Sequence, residues 1–534
     1  MLPEDKYFKT LTDAELWERY CGFLDLPMNE FMDIQKELLM DEIERVSDSL
    51  LGKKIMGDKK PESVEEFRSI VPVTTYEDYE PYLSERREDA LAIKPELWWH
   101  SSGRSGKFKW IPNCSEYLDR VTHISIAILI LATAKNKGEI NVAPGFRFLM
   151  ILPPAPYTSG AIFEAFSKRF SFKPIPDPRE IGDIDFAQRT QLGFGIALKE
   201  GLDFMGSIGS VLVSVGETFS GQTQSMKFSL GMLQPKLLVR LLRAWTLAKI
   251  EKRGILPKDL WPAKGVLAGG MDASIYREDI IRYWGNDPFE TYALTEAANV
   301  ALPSWTRNGM VFRPDLIFHE FIPYKGQAEN EEDTVAFPPT VLVDELEEGK
   351  SYELVITHFY GMPLLRYRTR DIIKVVSLED KKAGIKMPHV SFQYRMDDVI
   401  NLGSLVQLDE KSLWQALANT QIKYADWTAY KEYDQNKTFL RFCLELKEDI
   451  EPGEAAARLN EELKKVDVDY VDVESYLKIT PVRVTLLSPG TFNRYMEEKK
   501  KEGADLAHLK PAHVNPPRDI LDRLFHYSEG IKHS

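Results

Sequence analysis

Cysteine is scarce in this chain, with three residues among 534. They are Cys21, Cys114 and Cys443, which lie far apart in the sequence, and no Cys-x-x-Cys pair occurs. Disulfide frameworks and cysteine zinc sites both use closely spaced cysteines, so neither is expected here. The sparse, scattered pattern predicts a protein of the reducing cytoplasm.

The sequence also lacks a long apolar run. Its longest uncharged apolar stretch, residues 121–134, is shorter than the about 20 residues that a membrane-spanning helix needs. This stretch predicts a buried helix instead. Residues 1–9 contain charged side chains and no apolar core, so no secretory signal peptide is expected in them.

Positive charge is in deficit. Lysine and arginine number 68 against 82 aspartate and glutamate, which gives a formal net charge of −14. A chain this acidic is a poor candidate for binding nucleic acid or an anionic membrane, although a local basic patch is compatible with it. Neither partner is expected. The hydrophobic fraction of 43% and the charged fraction of 28% are typical of globular proteins and exclude whole-chain disorder, collagen and coiled coil.

The apolar pattern predicts an α/β protein. Near-helical spacing favours helices over residues 11–24 and 30–51. Short β-rich runs then alternate with helical stretches, which predicts a core with substantial parallel strand pairing. The predicted strands are residues 97–100, 146–152, 210–215, 265–267, 352–358 and 372–376. The predicted helices among them are residues 227–250 and 274–284.

The pattern changes after residue 399. An alternating strand at 439–446, an amphipathic helix at 453–466 and a strand at 482–487 predict a small α+β unit with its own core. We place the boundary near Asp397 and Asp398. It divides the chain into a large N-terminal α/β domain, residues 1–397, and a small C-terminal α+β domain, residues 398–534. The acidic run at 328–333 predicts a solvated loop.

Several catalytic and cofactor motifs are absent. The chain has no His-Glu-x-x-His, no Gly-x-Ser-x-Gly and no Gly-x-Gly-x-x-Gly. These absences leave a zinc hydrolase, a serine hydrolase and a Rossmann dehydrogenase without support. A Walker A loop does not fit either.

One segment does carry the chemistry of a phosphate site. Residues 101–109 read SSGRSGKFK and follow a predicted strand. Glycines let backbone N–H groups converge on one point, while hydroxyls and cations donate to phosphate oxygens. The segment therefore predicts a polyphosphate clamp, with a flexible surface turn as the alternative.

Two further segments have compatible chemistry. Residues 292–296, YALTE, offer a hydroxyl on Thr295 for a phosphate and a carboxylate on Glu296 for magnesium. A simple helix N-cap is the alternative. Residues 366–371, RYRTRD, place Asp371 where a carboxylate could hold a ribose. The alternative is a structural salt-bridge cluster of that aspartate with the three neighbouring arginines.

In this order the segments resemble the adenylate-forming superfamily of acyl-CoA synthetases, peptide-synthetase adenylation domains and luciferases. SSGRSGKFK is similar to its phosphate loop, YALTE to its Tyr-Gly-x-Thr/Ser-Glu motif and RYRTRD to its Tyr-Arg-Thr-Gly-Asp motif. Residues 394–398, YRMDD, resemble its hinge motif Gly-Arg-x-Asp-Asp.

Within that superfamily the chain more closely resembles the Gretchen Hagen family of acyl acid amido synthetases. The resemblance spans nearly the whole chain, through FRSIVPVTTYEDYEPYL from Phe67, FHEFIP from Phe318, YELVITHFYGMPLLRYRTRDII from Tyr352 and GTFNRYMEEKKKEGADLAHLKP from Gly490. The runner-up is phenylacetate-CoA ligase, whose Tyr-Arg-Thr-Arg-Asp variant equals residues 367–371. Two residues depart from the family pattern, because Arg104 stands where Thr is usual and Arg370 where the plant enzymes have Gly.

The resemblance implies a ligase that uses ATP and magnesium. It would activate a small-molecule carboxylic acid as acyl-AMP with release of pyrophosphate, then transfer the acyl group to an amino acid, or to CoA in the alternative. A non-catalytic nucleotide-binding relative is a third possibility. The implied phosphate-binding residues are Ser101, Ser102, Gly103, Ser105, Gly106 and Lys109. The implied nucleotide-binding residues are Gly269, Gly270 and Tyr292 at the adenine, Asp371 at the ribose and Arg395 in the hinge. The implied catalytic residues are Glu296 as the metal ligand, Thr295 at the α-phosphate and Lys510 at the developing charge.

Overall fold

A computed structural model of the chain describes residues 1–101, 108–150, 154–177, 186–222, 235–269, 276–324, 335–396, 399–402, 406–434, 437–467, 470, 480–501 and 512–532. The predicted loop at 328–333 lies outside this range. Among the described residues, no helix combines the length and the apolar character that crossing a bilayer requires.

The first part of the chain folds into α-helices of different lengths. They are α1 Asp5–Thr10, α2 Asp13–Cys21, α3 Met28–Val46, α4 Leu50–Met56 and α5 Val64–Ile70. Local sequence starts them: Thr12 and Glu15 form a capping box at the start of α2, and the Ser49 hydroxyl accepts the Gly52 N–H at the start of α4. Helices α2 and α3 correspond to the two helices predicted at residues 11–24 and 30–51.

A four-stranded parallel sheet carries the predicted α/β character. Its strands are β3 Phe146–Met150, β4 Phe172–Ile175, β5 Phe204–Ile208 and β6 Gly265–Gly269, in the order β4-β3-β5-β6. The helices of this region are α6 Ser115–Thr133, α7 Thr158–Ser167, α8 Phe186–Glu200, α9 Gly209–Gln222, α10 Pro235–Ile250, α11 Pro257–Leu260 and α12 Arg277–Trp284. Helix α6 is buried along most of its length, as predicted for residues 121–134.

The strand predicted at residues 210–215 is wrong. These residues lie inside α9, and the strand is the run just before them, β5. The β-branched residues of the run suggested a strand, but in α9 Leu212 is buried in the core and its carbonyl accepts the Trp284 indole N–H at 3.0 Å. Tertiary packing here overrides the local β propensity.

A seven-stranded sheet holds most of the candidate site. The strands are β7 Tyr292–Leu294, β8 Ala298–Pro303, β9 Met310–Phe312, β10 Ile317–Tyr324, β11 Ser351–His358, β12 Tyr367–Ser377 and β13 His389–Arg395. Their order in the sheet is β10-β11-β12-β13-β9-β8-β7, and the pairings between them are antiparallel. A separate hairpin pairs β1 Leu97–His100 with β2 Trp110–Asn113.

The C-terminal part contains the predicted strand, helix and strand. Strand β17, Lys437–Leu446, pairs in parallel with β18, Val482–Leu487, and α14, Pro452–Val466, connects them. The other elements are β14 Val399–Leu402, β15 Val406–Asp409, β16 Tyr424–Asp434, α13 Glu410–Asn419, α15 Thr491–Lys501 and α16 Arg518–Lys532. Buried residues from Ile400 onward form their own apolar clusters. Asp397 and Asp398 lie outside the described residues, so the exact domain boundary stays a prediction.

Candidate functional site

Glu296 is buried in the tight turn between β7 and β8 and faces two groups from distant parts of the chain. The Tyr367 hydroxyl, at the start of β12, donates a hydrogen bond to Glu296 Oε1 at 3.0 Å. Lys109, beside β2, donates from Nζ to the same tyrosine oxygen at 3.2 Å and lies 3.8 Å from Glu296 Oε1. The Tyr367 hydroxyl therefore links the Lys109 ammonium to the Glu296 carboxylate through two hydrogen bonds.

The electrostatic balance keeps Glu296 ionised. Burial acts to raise the pKa of its carboxyl, but Lys109, Arg395 and the Tyr367 hydrogen bond together hold that pKa below its ordinary value. Burial raises the pKa of Tyr367, so its hydroxyl keeps the proton that it donates. An ionised carboxylate of this kind fits magnesium, which binds one or two protein carboxylates together with substrate phosphates and water.

The backbone of the turn is fixed by two ring nitrogens. The Trp99 indole N–H donates to the Thr295 carbonyl at 2.8 Å, and His358 Nε2 lies 2.6 Å from the Glu296 carbonyl oxygen. Burial lowers the pKa of His358 to about 4, so the ring is neutral. Its Nδ1 accepts the Leu364 N–H, which leaves Nε2 to carry the proton and donate it. Neither Trp99 nor His358 has a local sequence signal that marks it for this role.

A second carboxylate lies next to this group. Asp371 on β12 is buried; its Oδ2 accepts the Tyr292 hydroxyl at 2.9 Å, and its Oδ1 is 3.6 Å from Arg395 Nε. Three strands separate β7 from β12 in the hydrogen-bonded order, so the curvature of the sheet brings Tyr292 and Asp371 together. Strands β7 and β12 thus connect the two carboxylates into one site.

The predicted phosphate loop connects β1 and β2. Residues 102–107, which include Ser102, Gly103, Ser105 and Gly106, lie outside the described range. The base of the loop is held by two bonds: Ser101 N–H donates to the Lys109 carbonyl, and Lys109 N–H donates to the Ser101 hydroxyl, both at 3.1 Å. This pairing places the side chain of Lys109 beside Glu296. Gly269 ends β6, and Gly270 lies outside the described residues.

Two of the three arginines that the alternative prediction grouped around Asp371 form ion pairs with glutamates. Arg366 is fully buried and forms a bidentate pair with Glu320, with nitrogen–oxygen distances of 3.1 and 2.9 Å. Arg368 pairs with Glu353 in the same way, at 3.0 and 2.6 Å. Both pairs stabilise the β10, β11 and β12 region, because each joins neighbouring or nearby strands of one sheet.

Arg370 has a backbone conformation that explains the glycine of the plant pattern. Its φ is +63°, in the left-handed region that costs side-chain-bearing residues energy and glycine very little. The residue lies between Thr369 and Asp371, within an irregularity in the pairing of β11 with β12. The departure from glycine therefore places a side chain at a position whose backbone conformation favours glycine.

In the C-terminal part, His513 anchors the segment that follows residue 511. Its Nδ1 lies 2.7 Å from Glu410 and its Nε2 2.9 Å from Asp426, and the ring stacks on Trp427 at 4.5 Å. Carboxylates only accept, so both ring nitrogens donate and the imidazole is charged. Burial acts to lower the pKa of His513, but the bonds to Asp426 and Glu410 raise it above its ordinary value. Lys510, three positions earlier in the chain, lies outside the described residues.

His513→Gln is expected to destabilise the protein by about 1–3 kcal/mol at pH 6 and by clearly less at pH 9. The folded-state pKa of His513 is raised, so its stabilisation is complete below the unfolded-state value of about 6.5 and is lost as pH rises through the folded value. Thermal melting of both proteins at the two pH values measures this difference. The exposed His526→Gln is the control, and equal destabilisation at both pH values would show that the buried ring is neutral.

Comparisons with known proteins agree with this geometry. Profiles of three domains match the chain: the GH3 family N-terminal domain over residues 22–169, the central domain over 310–395 and the C-terminal domain over 409–518. The 4-substituted benzoates-glutamate ligase GH3.12 of Arabidopsis thaliana is 24% identical, over 90% of this chain and 95% of that protein. The jasmonoyl--L-amino acid synthetase GH3.5 of Oryza sativa subsp. japonica is 26% identical, over about half of each chain, 49% and 48%.

Solved structures share the fold at low sequence identity. The acyl acid amido synthetase AtGH3.15, solved in complex with 2,4-DB, superposes with a TM-score of 0.67 at 16% identity, over 97% of both chains. A 2-hydroxyisobutyryl-CoA ligase superposes with a TM-score of 0.60 at 14% identity, over 95% of this chain and 93% of that one. These likenesses confirm the predicted fold class, with a large α/β part followed by a smaller α+β part.

The fold, together with a buried ionised carboxylate beside a lysine at the base of a Ser- and Gly-rich loop, defines an adenylate-forming ligase. The chain belongs to the GH3 family. The family and the enzyme class predicted from the sequence, an acid ligase of the acyl acid amido synthetase type, are therefore confirmed.

Proposed function

We propose that the enzyme uses ATP and magnesium to convert a small-molecule carboxylic acid into acyl-AMP, and then joins the acyl group to an amino acid. The observation that carries this proposal is the contact of Lys109 and Tyr367 with the ionised Glu296, next to Asp371. The unpaired state of the three cysteines agrees with action in the cytoplasm.

In the first half-reaction an oxygen of the carboxylate attacks the α-phosphorus of ATP. The bond from that phosphorus to the bridging oxygen breaks, and pyrophosphate leaves with the electron pair. Both reactants are anions, so the protein must neutralise charge and position the groups. Magnesium held by Glu296 would supply part of that neutralisation. Lys109 and the loop residues Ser101, Ser102, Gly103, Ser105 and Gly106 would bind the phosphates, and Thr295 the α-phosphate.

The nucleotide would lie along β6, β7 and β12. Gly269, Gly270 and Tyr292 would contact the adenine, Asp371 the ribose, and Arg395 the nucleotide from the predicted hinge. Lys510 would supply a cation from the C-terminal domain during the first half-reaction. In the second, the amine nitrogen attacks the acyl carbonyl carbon, the bond to AMP breaks and the amine releases a proton. We expect the predicted domain of residues 398–534 to rotate between the two half-reactions.

The related enzymes support an amino acid as the acceptor. One is named for joining 4-substituted benzoates to glutamate and another for joining jasmonate to amino acids. Purified enzyme, ATP and magnesium should therefore be incubated with a panel of carboxylic acids, with hydroxylamine to trap acyl-AMP. Acids that release pyrophosphate are then retested with each amino acid or CoA, and products are identified by mass spectrometry.

We expect acid-dependent release of pyrophosphate and an amide product. Cleavage of ATP to ADP and phosphate, or turnover without an acid, would contradict the proposal. A thioester in place of the amide would favour the phenylacetate-CoA ligase alternative that residues 367–371 resemble. ATP binding without pyrophosphate release from any acid would favour a non-catalytic relative.

Asp371→Ala is expected to raise the KM for ATP about 10- to 100-fold, because a carboxylate that accepts hydrogen bonds from a ligand contributes about 1.5–3 kcal/mol. The ribose does not react, so loss of its contact with Asp371 should weaken ATP binding with little change in kcat. Steady-state kinetics at varied ATP measure both constants. Tyr292→Phe, which removes the hydroxyl that Asp371 accepts, separates loss of that internal bond from loss of the ribose contact. An unchanged KM in folded Asp371→Ala would exclude Asp371 from the nucleotide site.

A further inference from the structure

Helix α10, Pro235–Ile250, has two apolar faces. One face, made by Leu237, Leu241, Ala244 and Ala248, is buried in the core around the parallel sheet. The other face is exposed: 68% of Val239, 62% of Leu242, 52% of Trp245 and 72% of Ile250 is accessible to solvent. Residues three or eleven positions apart lie on the same side of a helix, so these four side chains form a continuous apolar stripe. A stripe of this kind usually marks an interaction surface.

The same helix is strongly basic in a chain that is acidic overall. From Lys236 to Arg253 the sequence has six lysines and arginines and a single carboxylate, Glu251. The described residues form no recorded ion pair with Lys236, Arg243, Lys249 or Lys252, and Lys249 Nζ lies 4.3 Å from the centre of the Trp245 ring. Exposed cations therefore border the apolar stripe, without carboxylates to neutralise most of them.

We propose that the exposed face of α10 docks the enzyme on an anionic phospholipid membrane. A helix with exposed Trp, Leu, Ile and Val bordered by Lys and Arg matches the chemistry of the headgroup region, where apolar side chains enter the interface and cations meet lipid phosphates. Tryptophan favours this boundary because its ring is apolar and its N–H is polar. The helix lies in the plane of the surface and does not cross it.

Other occupants fit the face less well. A symmetric contact with a second copy would bring the same exposed cations, Lys236, Arg243, Lys249 and Lys252, against each other. A partner that wraps around a whole basic helix does not fit, because one face of α10 is buried against the core. Nucleic acid would meet the cations and leave Val239, Leu242 and Ile250 without a role. A flat, deformable, anionic surface satisfies the cations and the apolar stripe together.

The net charge of −14 does not prevent this docking. At physiological ionic strength charges are screened over about 8 Å, so a membrane in contact with α10 mainly interacts with the charges of that helix. The sequence expectation of no membrane partner was based on the charge of the whole chain, which hides a local basic surface. The inference is independent of the acid and the acceptor that the enzyme uses.

Sedimentation of the full chain with lipid vesicles tests the proposal. Vesicles of phosphatidylcholine alone are compared with vesicles in which part of it is replaced by phosphatidylglycerol, at low and high salt. One variant combines Leu242→Ser with Trp245→Ser, and a second combines Arg243→Glu with Lys249→Glu. The matched controls are Phe337→Ser, at an exposed apolar residue elsewhere, and Lys381→Glu with Lys382→Glu, at exposed lysines elsewhere.

We expect wild-type binding only to the anionic vesicles, weaker at high salt, and a loss of about tenfold or more in both α10 variants but not in the controls. Pyrophosphate release in solution and melting temperature should be unchanged in the α10 variants, which shows that they fold. Absence of vesicle binding, equal binding to neutral vesicles, or equal binding by variants and controls would overturn the proposal. The proposal would also be overturned if the protein formed dimers or RNA complexes that depend on α10 and did not bind vesicles.

Discussion

Glu296→Gln is expected to slow acyl-AMP formation about 10²- to 10³-fold, the usual cost of losing one preorganised charged group where charge develops. The amide keeps the shape of the side chain but removes the negative charge that would hold magnesium. It also removes the charge that Lys109, 3.8 Å away, now neutralises. The apparent magnesium requirement should therefore shift to higher concentration together with the loss of rate. Pyrophosphate release at varied magnesium measures both effects.

Two comparisons make this result specific. Tyr367→Phe removes only the hydroxyl that bridges Lys109 and Glu296, so we expect a smaller loss, about tenfold, because one hydrogen bond to a charged group is lost. Glu348→Gln, on the surface, should leave the rate and the magnesium dependence unchanged. If Glu296→Gln matches this surface variant in both measurements, Glu296 has a structural role and the metal assignment is incorrect.

Glu320→Ala is expected to lower the free energy of unfolding by about 3–5 kcal/mol, because it leaves the Arg366 guanidinium buried without its counter-charge. Both side chains are almost completely inaccessible, at 0% and 1% exposure. Arg366 also donates to the carbonyls of Arg68 and Val71, which are neutral acceptors and supply no counter-charge. Denaturant titration monitored by tryptophan fluorescence measures the loss.

The matched control is an exposed pair. Glu454→Ala breaks the contact with Arg458 on α14, where both side chains are about half exposed, and should cost no more than about 0.5 kcal/mol. The double change Glu320→Leu with Arg366→Met removes both charges and should recover much of the stability, since apolar residues can replace a buried pair. Similar losses in Glu320→Ala and Glu454→Ala would contradict the assigned burial of the Arg366 pair.

Short linear motifs predicted much of the candidate site. Lys109, Glu296 and Asp371 were all candidates from the sequence, because the proposed phosphate, metal and ribose contacts require particular side chains at fixed short spacings. The structure brings these residues into one site through the β1–β2 hairpin and strands β7 and β12. Lys510 was also identified from a linear motif, and its role stays a prediction.

The partners of these residues were not predictable from local sequence. Tyr292 and Asp371 meet across 79 positions of the chain, Glu296 and Tyr367 across 71, and Arg366 and Glu320 across 46. Such contacts depend on strand order and on the curvature of the sheet, which long-range packing sets. The same limit explains why the three arginines of RYRTRD were grouped around Asp371, when two of them pair with Glu320 and Glu353.

The sequence by itself determined the family, the enzyme class, the alternation of strands and helices, and the identity of the charged groups in the site. These properties follow from local motifs, apolar periodicity and side-chain chemistry, all of which can be read from neighbouring residues. Tertiary structure alone decided that residues 210–215 are helical, that Tyr367 connects Lys109 to Glu296, and that α10 exposes a second apolar face. Each of these depends on which surfaces are buried together, and burial is a property of the whole folded chain.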